Sequence, residues 1–465
     1  MLNRISSFSG PFSKLFSMAV DESYLPPTGL ILKYEFSVGS TQSYSGTESS
    51  IVDLVGNSNA TLVGGTYSKN GYLRFDGVDD YIITDSNLSS YLNPDPSSTI
   101  FSNFSWIYPM DNGVIVTELG QNYLGGSWHY SQIEIVSGIV NFGVWSGASI
   151  SGFQSNIGIT FSNWYNIGVT YDGVTLSGYI NGQLAGSLNV TRNNSALLYY
   201  SLGSGDITNL GDGGYSKMRL GAFYVYNTAL TNSQVLNLYN SQKDSYLDIV
   251  KDNLNLYLSA GDIDSYPGSG ITWNDLSSNF YTTTLVNSVL FSTDNGGSFV
   301  FGSGDYVDTN QSLASESFTV GAWFRTTSPG IKMILSKETN AGNPWNYRIW
   351  MNGGQIYADM SQITSQSSLS SPLTSYNDGN WHYVMFTRDD SSWYLYVDGL
   401  QVNTKSDTYI GSVVNSQEVW IGRSAYLGGS YQFIGDISEV MIYDRVLSSS
   451  EILQNYNATK IRFIS

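Results

Sequence analysis

The chain contains no cysteine. Disulfide bridges and thiolate metal sites are therefore excluded, and so long a chain without a bridge leans towards a bacterial, archaeal or viral product. Charge is also scarce. Charged residues make up 12% of the chain, about half of the usual ~25%. The balance is acidic, with 20 Lys and Arg against 38 Asp and Glu and a net charge of −18. A surface of that sign repels phosphate backbones, which removes nucleic acid from the expected partners. No stretch of about 18 apolar residues occurs, so no membrane-spanning helix is expected. The first twenty residues lack the apolar run of a signal peptide, being interrupted by Ser6, Ser7, Ser9, Gly10, Pro11 and Ser13. Histidine is nearly missing: His129 and His382 are the two in the chain.

What is abundant is aromatic and turn-forming. Aromatics are 14% of the 465 residues, with 35 Tyr, and there are 48 Gly. Short strands separated by Gly, Asn, Asp and Ser turns give this profile. Long amphipathic helices would need more Lys, Glu, Ala and Leu. The length exceeds one ordinary domain, and an internal repeat shows how it divides. Phe101 and Trp106 correspond to Phe318 and Trp323, Asn163-Trp164 to Asn380-Trp381, Asn181-Gly182 to Asp398-Gly399, and Tyr226 to Tyr443; every pair is 217 residues apart. Upstream the register drifts, YLRFDGVDDYI answering to SFVFGSGDYV, which places a length change in the intervening loop.

The repeat predicts an N-terminal arm over residues 1–24, domain 1 over 25–242, a linker over 243–251 and domain 2 over 252–465. The linker is short and mixed in polarity, so packed domains are expected. Asn181-Gly182 and Asp398-Gly399 predict type I′ hairpin turns. Thr231 with Gln234, and Ser448 with Glu451, predict capping boxes on one short helix closing each copy. The arm carries Phe8, Phe12, Leu15 and Phe16, side chains expected to pack on another chain.

The ordered segments FDGVDDYI, FTVGAWF, NWHYVMFTRD, YVDG and GDISEVMIYDRVLSSSEI resemble laminin-G-like domains of the concanavalin A-like lectin/glucanase superfamily. The resemblance covers nearly the whole chain, twice, and is closer in domain 2. It implies an all-β fold of two tandem jelly-roll β-sandwiches, each ending in a short helix. It leaves function open, because the superfamily includes lectins, hydrolases, lyases and adhesion modules.

Glycosidases of that superfamily commonly carry Glu-x-Asp-x-x-Glu on one strand, since two acids must face one sugar bond. No such spacing occurs. Glu134 stands alone, and Asp436 and Glu439, three apart on a predicted strand, are expected on opposite faces. A nucleophile-elbow motif is missing too. The expectation is a non-enzymatic protein, with a glycan-active hydrolase or lyase as the alternative. The resemblance also implies a calcium site in domain 2 with Asp275 and Asp436 as ligands; in domain 1 the register puts Arg219 at the Asp436 position, where it would repel a cation. For glycan binding, Asn343, Trp345, Tyr347 and Arg348 follow the polar loop ETNAGNP, and Trp128 and Tyr130 occupy the equivalent register in domain 1 after GQNYLGGS. Trp106, Trp164, Trp323 and Trp381 read as packing residues. The expected role is a virion structural or surface protein (capsid decoration, fibre or tail component) with adhesion or glycan-binding capacity. Its expected partners are other virion proteins or copies of itself through the arm, and cell-surface glycans. The alternative is a secreted or cell-surface, extracellular carbohydrate-binding protein.

Overall fold

The computed structural model describes residues 27–36, 43–44, 49–68, 71–92, 100–124, 129–193, 196–205, 214–313, 315–339, 342–361, 366–389, 391–406, 416–424 and 431–463. The predicted N-terminal arm lies outside them.

The described strands form four eight-stranded antiparallel sheets, two in each half of the chain. In domain 1 one sheet runs in the order Gln183–Asn189, Thr175–Ile180, Tyr165–Tyr171, Phe101–Pro109, Lys217–Tyr226, Tyr72–Asp76, Thr66–Ser68, with Leu30–Glu35 also paired to Lys217–Tyr226. Its partner sheet runs Ser149–Gly158, Ile139–Ser146, His129–Val136, Gly113–Leu119, Tyr199–Leu202, Tyr81–Thr84, Ala60–Val63, Ser50–Ile51. Domain 2 repeats both layers. Leu290–Ser292, Ser298–Phe301, Gly435–Tyr443, Phe318–Arg325, Trp381–Arg388, Ser392–Val397 and Leu400–Ser406 form one, with Leu254–Ser259 on Gly435–Tyr443. Thr272–Asn274, Thr282–Val286, Tyr306–Asp308, Val419–Ile421, Lys332–Thr339, Gly342–Asn352, Gln355–Ser361 and Gln366–Ser370 form the other. Each domain is a jelly-roll sandwich whose core lies between its two sheets.

Among the described residues, a helix covers the outside of one sheet of each sandwich. The helix Asn232–Gln242 packs Val235 and Leu238 against Phe104, Trp106 and Tyr224. The helix Ser449–Thr459 does the same in domain 2 with Ile452 against Trp323, Tyr383 and Tyr443. Both helices start at the expected capping boxes. The repeat holds to single hydrogen bonds. Trp106 donates its indole N–H to Gln242 Oε1 at 2.7 Å and Trp323 to Thr459 Oγ1 at 2.8 Å. Trp106 stacks on Tyr239 and Tyr246 at 5.7 and 4.4 Å, and Trp323 on Tyr456 and Phe463 at 5.6 and 4.4 Å. Ser102 and Thr319 each donate to a carbonyl, Thr228 O and Arg445 O, and each accepts an amide from the following turn. Every partner pair is again 217 apart.

The hairpins at Asn181-Gly182 and Asp398-Gly399 have positive φ at both positions, 51° and 76°, and 50° and 79°, as a type I′ turn requires. One parity expectation fails. The strand Gly435–Tyr443 bulges opposite Trp323 and Phe324, so that Ser438 is an extra residue. A bulge inverts alternation beyond it. Asp436 and Glu439 therefore lie on the same outer side of the sheet, each on its own arginine: Arg325 at 3.1 Å and Arg462 at 2.6 Å.

The connection between the domains is packed. Tyr246 belongs to the Trp106 stack, while Ile249 and Val250 are buried in domain 2. Arg219, held between the rings of Tyr72 and Tyr108, reaches across to Asp262 at 2.9 Å, and Arg74 to Asp264 at 2.8 Å.

Candidate functional site

Among the described residues the second sheet of domain 2 carries no helix on its outside, and strand alternation decides what it presents there. Tyr347, Ile349, Met351, Ile356, Ala358, Val307 and Ile421 point into the core. Their neighbours Arg348, Trp350, Tyr357, Tyr306 and Trp420 consequently point outward. At one end of this face Tyr306 and Trp420 stack at 4.8 Å with 25° between planes, and the Arg423 guanidinium lies over both rings, 4.9 and 5.6 Å from their centres. At the other, Trp350 and Tyr357 stack at 4.3 Å and 15°. All five side chains are partly exposed. Three strand spacings separate Tyr306 from Trp350, or ~14 Å at ~4.8 Å per step. Between and beside the stacks lies a buried polar cluster. Arg348 donates to both oxygens of Asp359, at 2.9 and 2.7 Å, and to Glu338 at 3.2 Å, while Ser424 donates to the other Glu338 oxygen. A planar guanidinium with five donors suits this two-carboxylate arrangement. Burial works against the charged form, yet the two carboxylates hold Arg348 more basic than usual.

Flat aromatic surfaces flanking fixed polar groups on an open sheet face form an arrangement suited to sugars, which offer an apolar ring face and a rim of hydroxyls. The two acids are not arranged for glycoside cleavage. Both are spent on one guanidinium, whereas cleavage needs two acids directed at opposite sides of a bond.

Of the residues expected from sequence to bind a ligand, Arg348 is, among the described side chains, the one on this face. Tyr347 is buried in the core and donates its hydroxyl to Leu313 O at 2.9 Å. Tyr130 is likewise buried, donating to Glu118. Trp128 and the side chains of Asn343 and Trp345 lie outside the described residues. The expected calcium ligands do not meet. Asp275 is buried and accepts amides from Tyr257, Ser277 and Tyr281 and the Ser277 hydroxyl, which organises a turn. Tyr257 pairs with Met441, five residues along the strand from Asp436, a separation of ~17 Å, and Asp436 is held by Arg325. Among the described residues three acidic groups do come together elsewhere, at Asp76, Asp79 and Asp80. Asp80 there accepts amides from Gly65 and Asp76 and serves the hairpin.

Sequence reasoning passed over Tyr306, Trp350, Tyr357, Trp420 and Arg423. The alternation in YRIWM carried a signal: once Tyr347 is assigned to the core, Arg348 and Trp350 must share the opposite face.

The fold is thus a pair of jelly-roll sandwiches. Residues 301–453 match the family model of the concanavalin A-like lectin/glucanases superfamily, a span that contains both aromatic stacks and the Arg348 cluster. No curated protein matches the sequence. Solved structures similar to the chain include the CBM40 of a Ruminococcus gnavus IT-sialidase bound to α2,6 sialyllactose (18% identity over 34% of this chain and 96% of that one, TM-score 0.31). Domains LG4-5 of the mouse laminin α1 chain match at 14% identity over 82% and 92%, with TM-score 0.28. A structure of botulinum neurotoxin type C, whose cell entry depends on two ganglioside molecules, matches at 14% over 93% and 96%, with TM-score 0.38.

Proposed function

We propose that the protein binds glycans without turning them over, and that the ligand lies across the open face of domain 2 between the Tyr306–Trp420 and Trp350–Tyr357 stacks. The observation that carries this reading is the pair of partly exposed aromatic stacks on either side of the Arg348 cluster. The same face of domain 1 presents Thr117, Ser131, Glu134 and Asn141, its Tyr81 and Tyr215 are tilted by 33° at a wider 6.2 Å, and it has no arginine among the described residues. The match of residues 301–453 to a lectin-containing superfamily supports it further.

A shallow, open face gives modest affinity per site, and many copies on one particle would raise it through avidity. The setting we propose is accordingly a virion surface, to be checked by immunogold electron microscopy of the source particle; label confined to cell-surface or secreted fractions would favour the extracellular alternative. The site itself is tested on a glycan array with the wild-type chain and the Trp350→Ala and Trp420→Ala variants. Each substitution is expected to reduce binding by about tenfold or more, the loss typical of a buried aromatic anchor. Undiminished binding in both variants would move the site elsewhere, and release of reducing ends from any bound glycan would overturn the non-enzymatic reading.

A further inference from the structure

Nine of the ten arginines lie within the described residues. Eight of them are ion-paired: Arg74 with Asp264, Arg192 with Glu118, Arg219 with Asp262, Arg325 with Asp436, Arg348 with Glu338 and Asp359, Arg388 with Glu316, Arg445 with Asp252 and Glu451, and Arg462 with Glu439. Arg423 is the exception. Among the described residues its side chain makes no ion pair and no hydrogen bond, and its Nε is buried without an acceptor. This occurs in a chain with 38 acidic residues against 20 basic ones, where a carboxylate partner is statistically the easiest thing to supply. The guanidinium instead lies over Tyr306 and Trp420, 4.9 and 5.6 Å from their ring centres. Such stacking is worth well under an ion pair in hydrogen-bonding terms, because it satisfies none of the five N–H donors.

The neighbouring acids are committed elsewhere. Glu338 and Asp359 are held by Arg348, with Ser424 also on Glu338. Asp308, paired in register with Trp420, accepts the amide of Asn310. The other large recess contrasts with this. The cleft of about 1000 Å3 between the domains has cations too, but Arg219 is spent on Asp262, Lys251 on Asp248, and Lys460 donates to Asn457 Oδ1.

We propose that Arg423 is held open for an anionic group on the ligand, so that the face selects sugars bearing a carboxylate or a sulfate ester over neutral ones. The inference rests on the glycan-binding reading and adds its charge class. A guanidinium preset against two rings loses little freedom on binding, and its parallel N–H pair matches two oxygens of either anion. The rings beside it would take the apolar face of the same sugar, coupling charge recognition to stacking.

The test is an array of carboxylated, sulfated and neutral oligosaccharides probed with the wild-type chain, Arg423→Gln and Arg423→Lys, with thermal unfolding measured alongside. Because Arg423 has no ion pair to lose, Arg423→Gln is expected to unfold within a degree or two of wild type. The wild type is expected to prefer acidic glycans. Arg423→Gln should weaken those by about tenfold or more relative to neutral ones, the loss of a charge-assisted hydrogen bond, while Arg423→Lys recovers part of the preference. Whether the surviving spots are carboxylated or sulfated distinguishes the two sources of charge. Acidic glycans bound no better than neutral ones by the wild type, or bound undiminished by Arg423→Gln, would overturn the charge selection and leave the glycan reading standing. No glycan bound at all would overturn both.

Discussion

In domain 1 the strongest buried charge pair sits between the two sheets. Arg192 and Glu118, 3.0 Å apart and almost fully enclosed, are surrounded by the hydroxyls of Tyr130 and Tyr200 and by Gln132. In domain 2 the corresponding cluster, Arg348 with Glu338 and Asp359, is on the outside of the equivalent sheet, flanked by aromatic stacks. The interior of domain 2 holds a single buried lysine instead, Lys337, which donates to the carbonyls of Ser312 and Gln417 and which burial pushes down to about 8. The helix-covered sides differ little, down to the tryptophan hydrogen bond. The repeat therefore kept its scaffold where the helix packs and diverged on the open sheet. A polar network enclosed between two sheets specifies packing, whereas the domain 2 network, itself buried, lies on the outer side of its sheet beside partly exposed aromatic stacks. That asymmetry is the basis for assigning binding to domain 2.

The comparison can be broken most severely at the shared scaffold. Trp106→Ala and Trp323→Ala each remove a buried indole, its stack and its hydrogen bond, and each is expected to cost about 3–5 kcal/mol of its own domain's stability. Denaturant unfolding followed by fluorescence should show one transition shifted in each variant and the other unmoved. Strongly unequal costs would mean that the two environments are not equivalent. A similar loss, about 3–5 kcal/mol, is expected for Arg192→Met, because Glu118 is left as an unpaired buried charge. The double variant Glu118→Leu with Arg192→Met should recover most of it; failure to recover would show that the tyrosine network depends on the charges themselves.

Smaller effects sharpen the picture. Gly182→Val and Gly399→Val force a β-branched residue into positive φ, and the new Cβ would meet Tyr239 at 3.0 Å or Tyr456 at 2.9 Å in the covering helix. Each is expected to cost about 1–2 kcal/mol or somewhat more, read as a lowered melting temperature of the matching domain only. The smallest expected difference is in pH response. Burial disfavours a charged His382, but hydrogen bonds and charge from Asp398 and Asp378 outweigh it and raise its pKa above the ordinary 6.5. The stability this contributes is complete below pH 6.5 and is lost as pH rises through the raised value. Domain 1 has Tyr165 at that position, hydrogen-bonded to Thr160. The domain 2 transition should move with pH in this window, where the buried Glu439 carboxyl, raised to about 7, also titrates, and His382→Gln should remove the part of the movement that His382 supplies.

Much of the scaffold was legible in the sequence because its signals are local. Asn-Gly and Asp-Gly dictate their turns through backbone sterics, the capping boxes need residues three apart, and a constant offset of 217 reports two copies without any contact being known. The binding face was not legible in the same way. Tyr306, Trp350, Trp420 and Arg423 come from different strands, and their adjacency depends on sheet order and register. The loop residues near Trp345 stood out through composition, but the strand that follows presents its aromatic residues alternately to core and surface. Parity reasoning also failed at Asp436 and Glu439, since a one-residue bulge at Ser438 cannot be read from alternation. The unpaired state of Arg423 is visible only once the partners of the other eight arginines are known.

The assignment of binding to domain 2 is tested most directly by hydrogen–deuterium exchange of the full chain, free and saturated with the tightest acidic glycan from the array. Slower exchange is expected in peptides covering Tyr306–Asp308, Gly342–Asn352, Gln355–Ser361 and Val419–Ile421, with domain 1 and the inter-domain cleft unchanged. Protection centred on domain 1, or on the cleft around Tyr72, Tyr108 and Phe280, would contradict the assignment.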